Sequence, residues 1–126
     1  MSHGPHTFEL MRRIEESVTT GKLNISYLDI TSLPPLPSGL IELYCDNTQL
    51  TSLPPLPNSL KELVCYNTLL TSLPPLPYGL EALWCFNTKL PERDDFESMN
   101  EYIYRIRSWQ KQNRIQERTR MLKKKN

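Results

Sequence analysis

The chain is predicted to fold as an α/β repeat solenoid, a short array of parallel strands joined by extended, polyproline-like returns and closed at each end by a helix. Three observations predict this. A 20-residue segment recurs without insertion or deletion: Leu43 to Pro57 returns as Leu63 to Pro77 and begins again at Leu83. One such unit cannot bury its own apolar face, so a core arises only when units stack. The array is also flanked by segments in which apolar residues recur at helical spacing.

Taken in order, residues 1–21 read as an N-terminal capping helix. Thr7 is placed to cap it, Leu10, Met11, Ile14 and Val18 share a face, and Gly21 stands where it would end. Residues 22–91 read as the repeats. The alternation at 43–47, 63–67 and 83–87 marks short strands with Leu and Cys on one side, and the frame reaches back to Leu23, Ile25, Ile30, Leu33 and Leu36. That gives four strand positions, the first degenerate and the last cut short. Nine of the eleven prolines lie in three Leu-Pro-Pro-Leu-Pro segments, where fixed φ and missing donors favour extended backbone over helix. Ser38-Gly39, Asn58-Ser59 and Tyr78-Gly79 are suited to the tight bends that close each coil.

After Pro91 the composition changes. Asp94 followed by Glu97 has the spacing of a capping box, and Phe96, Met99, Tyr102, Ile103, Ile106 and Trp109 recur at helical intervals, so 92–110 read as a C-terminal capping helix. Residues 111–126 form a basic tail that either extends the helix or frays. With 126 residues and one regular repeat, residues 1–126 are expected to form a single domain.

The formal net charge of +1 conceals an asymmetry. Residues 1–109 hold 8 Lys/Arg and 13 Asp/Glu, a net −5, whereas 110–126 hold 7 and 1, a net +6. The longest apolar runs fall far short of the roughly 18 residues a membrane span requires, and no signal peptide is evident, so a soluble, intracellular protein with no membrane span is expected. Cys45, Cys65 and Cys85 are odd in number and occupy one repeat position, which argues against a secreted disulfide scaffold. They should stack in an inward column at about 4.8 Å from strand to strand. A straight column with no histidine nearby offers no tetrahedral ligand set, and His3 and His6 have no partner in sequence, so no metal site is expected. No Gly-rich phosphate loop and no Ser/His/Asp set occurs, so neither catalytic residues nor a cofactor is expected and the chain does not read as an enzyme.

The repeats resemble the leucine-rich repeat family in its shortest, bacterial type, with the pattern Leu-x-x-Leu-Pro-x-Leu-Pro-x-x-Leu-x-x-Leu, from about Leu23 to Pro91. Proteins of that type include secreted effectors of bacterial pathogens. The strand cysteine followed by Asn-Thr and Leu-Thr-Ser-Leu-Pro is also similar to short repeat proteins of large DNA viruses of amoebae. Some effector relatives carry a ubiquitin-ligase domain with a catalytic cysteine after the repeats, but no cysteine follows Cys85, so that activity is not transferred. By resemblance, Asn47, Asn67 and Asn87 match the family's asparagine ladder, whose amides satisfy backbone groups at the turn of the next coil. Tyr27 replaces the asparagine in the first coil, so by resemblance the ladder is missing there and the coil is open to being counted with the cap.

If Leu43 and Cys45 point inward, the same parity turns Tyr44, Asp46, Val64, Tyr66, Trp84 and Phe86 outward, bounded by Glu42 and Glu62. An exposed aromatic cluster marks a partner-binding surface, because aromatic anchors dominate interface energetics. The alternative is that the C-terminal segment folds back over Trp84 and Phe86. Lys111, Arg114, Arg118, Arg120, Lys123, Lys124 and Lys125 offer contacts to phosphate on nucleic acid or an anionic surface, although no aromatic residues interleave to stack on bases. The expected function is a non-enzymatic protein-binding or assembly module using the strand-side aromatics. The alternatives are a structural cement component of a viral particle, contacting particle subunits in the host cell or virion, and a nucleic-acid or anionic-surface tether through the tail.

Overall fold

The computed structural model describes residues 5–124. Helix α1 (Pro5–Thr20) leads into four three-residue strands, β1 (Lys22–Asn24), β2 (Glu42–Tyr44), β3 (Glu62–Val64) and β4 (Ala82–Trp84), and helix α2 (Met99–Lys124) follows. The strands form one parallel sheet in the order β1-β2-β3-β4, with Leu23, Leu43, Leu63 and Leu83 in register. Each strand position therefore repeats its 20-residue predecessor one sheet spacing further on, about 4.8 Å away.

The ladder outlasts the formal strands. Cys45 N–H donates to the Val64 carbonyl and Cys65 N–H to that of Trp84, each at 2.8 Å, and Asn47 N–H reaches the Tyr66 carbonyl at 3.0 Å. At these asparagines the chain turns through left-handed backbone: Asn47, Asn67 and Asn87 have φ of 56°, 52° and 54°. Asparagine tolerates that region better than other side chains with a Cβ, which gives a backbone reason for its recurrence. Tyr27 holds the same conformation at φ 67°, and β1 pairs with β2 in the common register. The first segment is thus a full coil and not a part of the cap, despite its substituted turn residue.

Extended returns follow, and each closes in a tight turn in which the amide of Leu40, Leu60 or Leu80 donates to the carbonyl of Pro37, Pro57 or Pro77. These turns are centred on the pairs Ser38-Gly39, Asn58-Ser59 and Tyr78-Gly79. Inside the coils, Leu43, Cys45, Leu50, Leu60, Leu63, Cys65, Leu70 and Leu83 are fully buried or nearly so and form one continuous core with the caps.

Both caps differ in detail from the sequence expectation. Helix α1 begins at Pro5, whose fixed φ suits the first turn of a helix, so Thr7 lies inside it. Its docked face is Leu10, Ile14 and Ser17, while Met11 and Val18 are exposed. The Gly21 amide accepts this geometry by donating to the Ser17 carbonyl at 2.8 Å with φ 75°, a helix C-terminus that glycine permits. A Cβ at Gly21 would lie 3.2 Å from Ile41 Cγ1, so strand approach also favours glycine there.

Helix α2 starts at Met99 and not near 92, because the reciprocal capping box is Ser98 with Glu101. Ser98 N–H donates to Glu101 Oε1 at 2.8 Å and Glu101 N–H to Ser98 Oγ at 3.1 Å. Asp94 and Glu97 make a preceding turn instead, so Phe96 falls outside the helix and is exposed. Tyr102, Ile103 and Ile106 cover the last coil, with Met99 and Trp109 packed against the same core. The stretch expected as a tail, from residue 111 on, continues α2 to Lys124 as uninterrupted helix. Among the described residues, no helix is long and apolar enough to cross a membrane.

Candidate functional site

The strand parity places Leu23, Leu43, Leu63 and Leu83 inside and aims Asn24, Tyr44, Val64 and Trp84 at the opposite face. Not all of the outward residues are open to solvent. Val64 is only 8% exposed, because Tyr44 and Trp84 flank it in register on either side. Asp46 is 5% exposed; Ser26 Oγ donates to its Oδ1 at 2.6 Å and Asn47 Nδ2 to its Oδ2 at 2.8 Å. These two residues correct the expectation of six open positions. A side chain on the face of a parallel sheet is shielded by its neighbours on both strands, and a small or hydrogen-bonded one is covered.

The remaining four aromatics are organised by carboxylates and by each other. Tyr44 Oη donates to Glu42 Oε1 and, at 3.2 Å, to Glu62 Oε1. Trp84 Nε1 donates to Glu62 Oε2 at 3.2 Å. Glu62 therefore ties three successive coils together, a role that its place beside the aromatics and its repeat of Glu42 made visible in the sequence only as a boundary. The hydrogen bond from Tyr44 to Glu42, with burial and the charge of Glu62, pushes the Tyr44 phenol well above its ordinary range. Tyr66 and Phe86 stack with ring centroids 4.4 Å apart and planes 18° from parallel, and Phe86 is 51% exposed. Phe86 is the most exposed of the four aromatics.

The segment after the repeats reaches this face at one edge. The Arg93 guanidinium lies 5.5 Å from the centroid of the Trp84 ring. Leu83, Trp84, Cys85, Phe86, Glu92, Arg93 and Tyr102 line a shallow pocket of about 200 Å³ there. The fold-back considered for Trp84 and Phe86 is thus partial: it brings one guanidinium to Trp84 and leaves Phe86 half exposed.

Behind the face, the asparagines form a column of side chains. Asn87 Nδ2 donates to Asn67 Oδ1, and Asn67 Nδ2 donates to Asn47 Oδ1 at 3.0 Å. Their amides bond each other, and the column ends on Asp46. The turn backbone expected to be their partner is served instead by threonine: Thr48, Thr68 and Thr88 Oγ1 donate to the carbonyls of Cys45, Cys65 and Cys85 at 2.8, 2.9 and 2.7 Å. The invariance of Thr after each asparagine in the three repeats was the available signal for this.

Cys45, Cys65 and Cys85 are free and buried. Burial pushes the Cys45 thiol up to about 12, so it is protonated at neutral pH. The Cys85 thiol and burial raise Cys65 well above its usual range. Cys85 Sγ lies 2.7 Å from Tyr102 Oη, which donates to the Pro91 carbonyl at 2.6 Å. Among the described residues, no group of three or more His, Cys, Asp or Glu is placed to hold a metal.

The basic residues occupy a separate region. Gln110 Nε2 donates to the carbonyls of Leu73 and Pro74, each at 3.0 Å, and is the last anchored residue of α2. From Lys111 to Lys123 every residue is exposed, including Arg114, Arg118 and Arg120, and Arg120 pairs with Glu117 at 2.5 Å. His3 and Lys125, and the side chains of His6 and Lys124, lie outside the described residues.

Residues 38–78 match the model of a leucine-rich repeat family. No curated sequence matches the chain. Among solved structures, the fold is similar to YopM from Yersinia enterocolitica, 36% identical over 68% of this chain and 20% of that one with a TM-score of 0.65. It is also similar to YopM from Yersinia pestis, described as a leucine-rich effector protein, at 34% identity over 69% and 25% of the two chains and a TM-score of 0.64. A Shigella effector leucine-rich repeat domain shows 34% identity over 71% and 42% of the two chains, with a TM-score of 0.66. The chain thus spans under half the length of each of these relatives. With the 20-residue register, the left-handed turn at each asparagine and the proline-rich returns, these likenesses show a short leucine-rich repeat solenoid with terminal helices, similar to the repeat domains of bacterial effectors.

Proposed function

We propose that the chain is a non-enzymatic module that binds a protein partner through its strand face, with the Tyr66–Phe86 stack as the anchor and Trp84 and Tyr44 beside it. The observation that carries this reading is the half-exposed Phe86 stacked on Tyr66 within a row of fixed aromatics. Large apolar groups held rigidly at a surface lose little entropy on binding and supply the hot spots of protein interfaces. Glu42 and Glu62 fix Tyr44 and Trp84 and give the face an acidic border. The likeness to effector repeat domains supports a protein as the partner.

A photo-crosslinkable residue in place of Phe86 tests this. In native extract it should capture a partner that the same probe in place of the exposed Tyr104 on α2 does not. Tyr66→Ala should reduce that capture by at least about tenfold, as expected for an interface aromatic. Capture that survives Tyr66→Ala and vanishes when residues 111–126 are removed would overturn the reading in favour of a tether on the basic helix. That second reading rests on the exposed Lys111, Arg114 and Arg118, and it predicts binding that falls steeply with salt.

A further inference from the structure

We infer that the strand face of one copy receives the projecting end of α2 from a second copy, so that the chain assembles head to tail; this names an occupant for the face proposed above and rests on that reading.

The course of α2 carries the argument. Its first turn lies at the strand side, where Leu83 N–H points at Met99 Sδ at 3.3 Å. Further along, Arg107 donates to the Pro77 carbonyl at 2.6 Å, and Gln110 binds the carbonyls of Leu73 and Pro74. The helix therefore crosses the end of the solenoid from the strands to the proline returns, and residues 111–123 leave on the return side. A continuous helix cannot turn back, so this end is directed away from its own strand face, and only a second copy brings the two surfaces together.

Charge and size match. The body through residue 109 carries a net −5 and residues 110–126 a net +6. Lys111, Arg114, Ile115, Arg118 and Leu122 fall on one side of the helix by their spacing, a stripe of cations with apolar residues between them. From 111 to 122 the stripe extends about 16 Å. The four strands present a face about 14 Å across, three spacings of about 4.8 Å. Fixed carboxylates of Glu42 and Glu62, the partly buried ring of Tyr66 and the half-exposed ring of Phe86 lie on that face, with Lys22 and Arg93 as the cations near its two edges. Guanidinium on aromatic ring is a contact made three times among the described residues, at Trp84, Tyr102 and Tyr78. None of Lys111, Arg114 and Arg118 has a hydrogen bond or ion pair to another described residue, so all three are free to serve the contact. The two surfaces differ, so the interface is heterologous and leaves one donor helix and one open face at the ends of every open oligomer; growth continues to a filament or stops when the ends meet in a ring.

Sedimentation velocity of the full chain over a concentration series tests the inference. At low salt the mass should rise above the 14.7 kDa of one copy with concentration, and high salt should weaken association by about tenfold or more. Lys111→Glu with Arg114→Glu and Arg118→Glu, all on solvent-exposed helix, should remove association, as should Tyr66→Ala with Phe86→Ala. An equimolar mixture of these two variants should form a species of two chains and no larger, because each supplies the surface the other lacks. A full chain that stays monomeric at every concentration and salt, or a mixture that stays monomeric although the wild type assembles, would overturn the inference. A monomeric chain that still loses partner crosslinks at position 86 on Tyr66→Ala would overturn self-docking alone and leave the strand-face reading in place.

Discussion

The asparagine that follows β2, β3 and β4 serves two purposes that a mutation can separate. Asn67 holds left-handed backbone at φ 52°, and its amide both donates to Asn47 and accepts from Asn87. Asn67→Ala removes both hydrogen bonds and places a methyl group in a region L-residues avoid, so it should destabilise by about 1–3 kcal/mol. Asn67→Gly removes the same bonds without the strain and should recover about 1 kcal/mol of that loss. Urea denaturation of both variants measures the difference. Equal damage from alanine and glycine would mean that the turn conformation contributes nothing and the column of amides is the whole reason for asparagine.

Among the elements, the coil of β3 has neighbours on both sides. Leu63→Ala opens a cavity between β2 and β4 and should cost about 2–5 kcal/mol, whereas Phe86→Ala, half exposed at the outer face, should cost well under half as much. Chemical denaturation showing equal losses would refute the parity on which the face depends. That parity, the strand number and the turn pairs were legible in the sequence because a 20-residue repeat fixes every equivalent position at once. The helix boundaries were less so. Asp94/Glu97 and Ser98/Glu101 offer the same capping spacing four residues apart, and only docking of Met99 on Leu83 selects the second. Coverage of Val64 and Asp46 was illegible for a different reason: it depends on side chains of adjacent coils, not on alternation along one strand. Glu97 nevertheless has a structural part. Its hydrogen bonds from Arg105 hold its carboxyl down to about 2 from an ordinary 4.5. The folded chain favours the charged form, so this pairing contributes fully above pH 4.5 and is lost as pH falls towards 2. A carboxyl NMR titration should show Glu97 with a midpoint near 2 and Arg105→Gln returning it towards 4.5; a midpoint unchanged by Arg105→Gln would rule out the ion pair as its cause.

At the scale of the whole molecule, α2 is two objects in one helix, and truncation distinguishes them. Up to Gln110 it is the lid of an open solenoid: Met99, Tyr102, Ile103 and Ile106 cover Leu83, Cys85 and Leu90, the apolar end of the last coil. In an array of only four coils, each contacting its neighbours alone, an uncovered end loses stability that no distant packing replaces. A chain ending at residue 98 should therefore lose several kcal/mol, a large share of the stability of a domain this small, and its Cys85 thiol should become reactive. A chain ending at residue 110 removes only exposed side chains and should unfold at nearly the same urea concentration as the full chain, with its thiols still protected. The remaining residues would then be present for contacts outside the fold, since their helix is paid for by none of the core. If removing residues 111–126 destabilised the chain as much as removing all of α2, the helix would be a single structural unit, and the division between a lid and a projecting arm would fail.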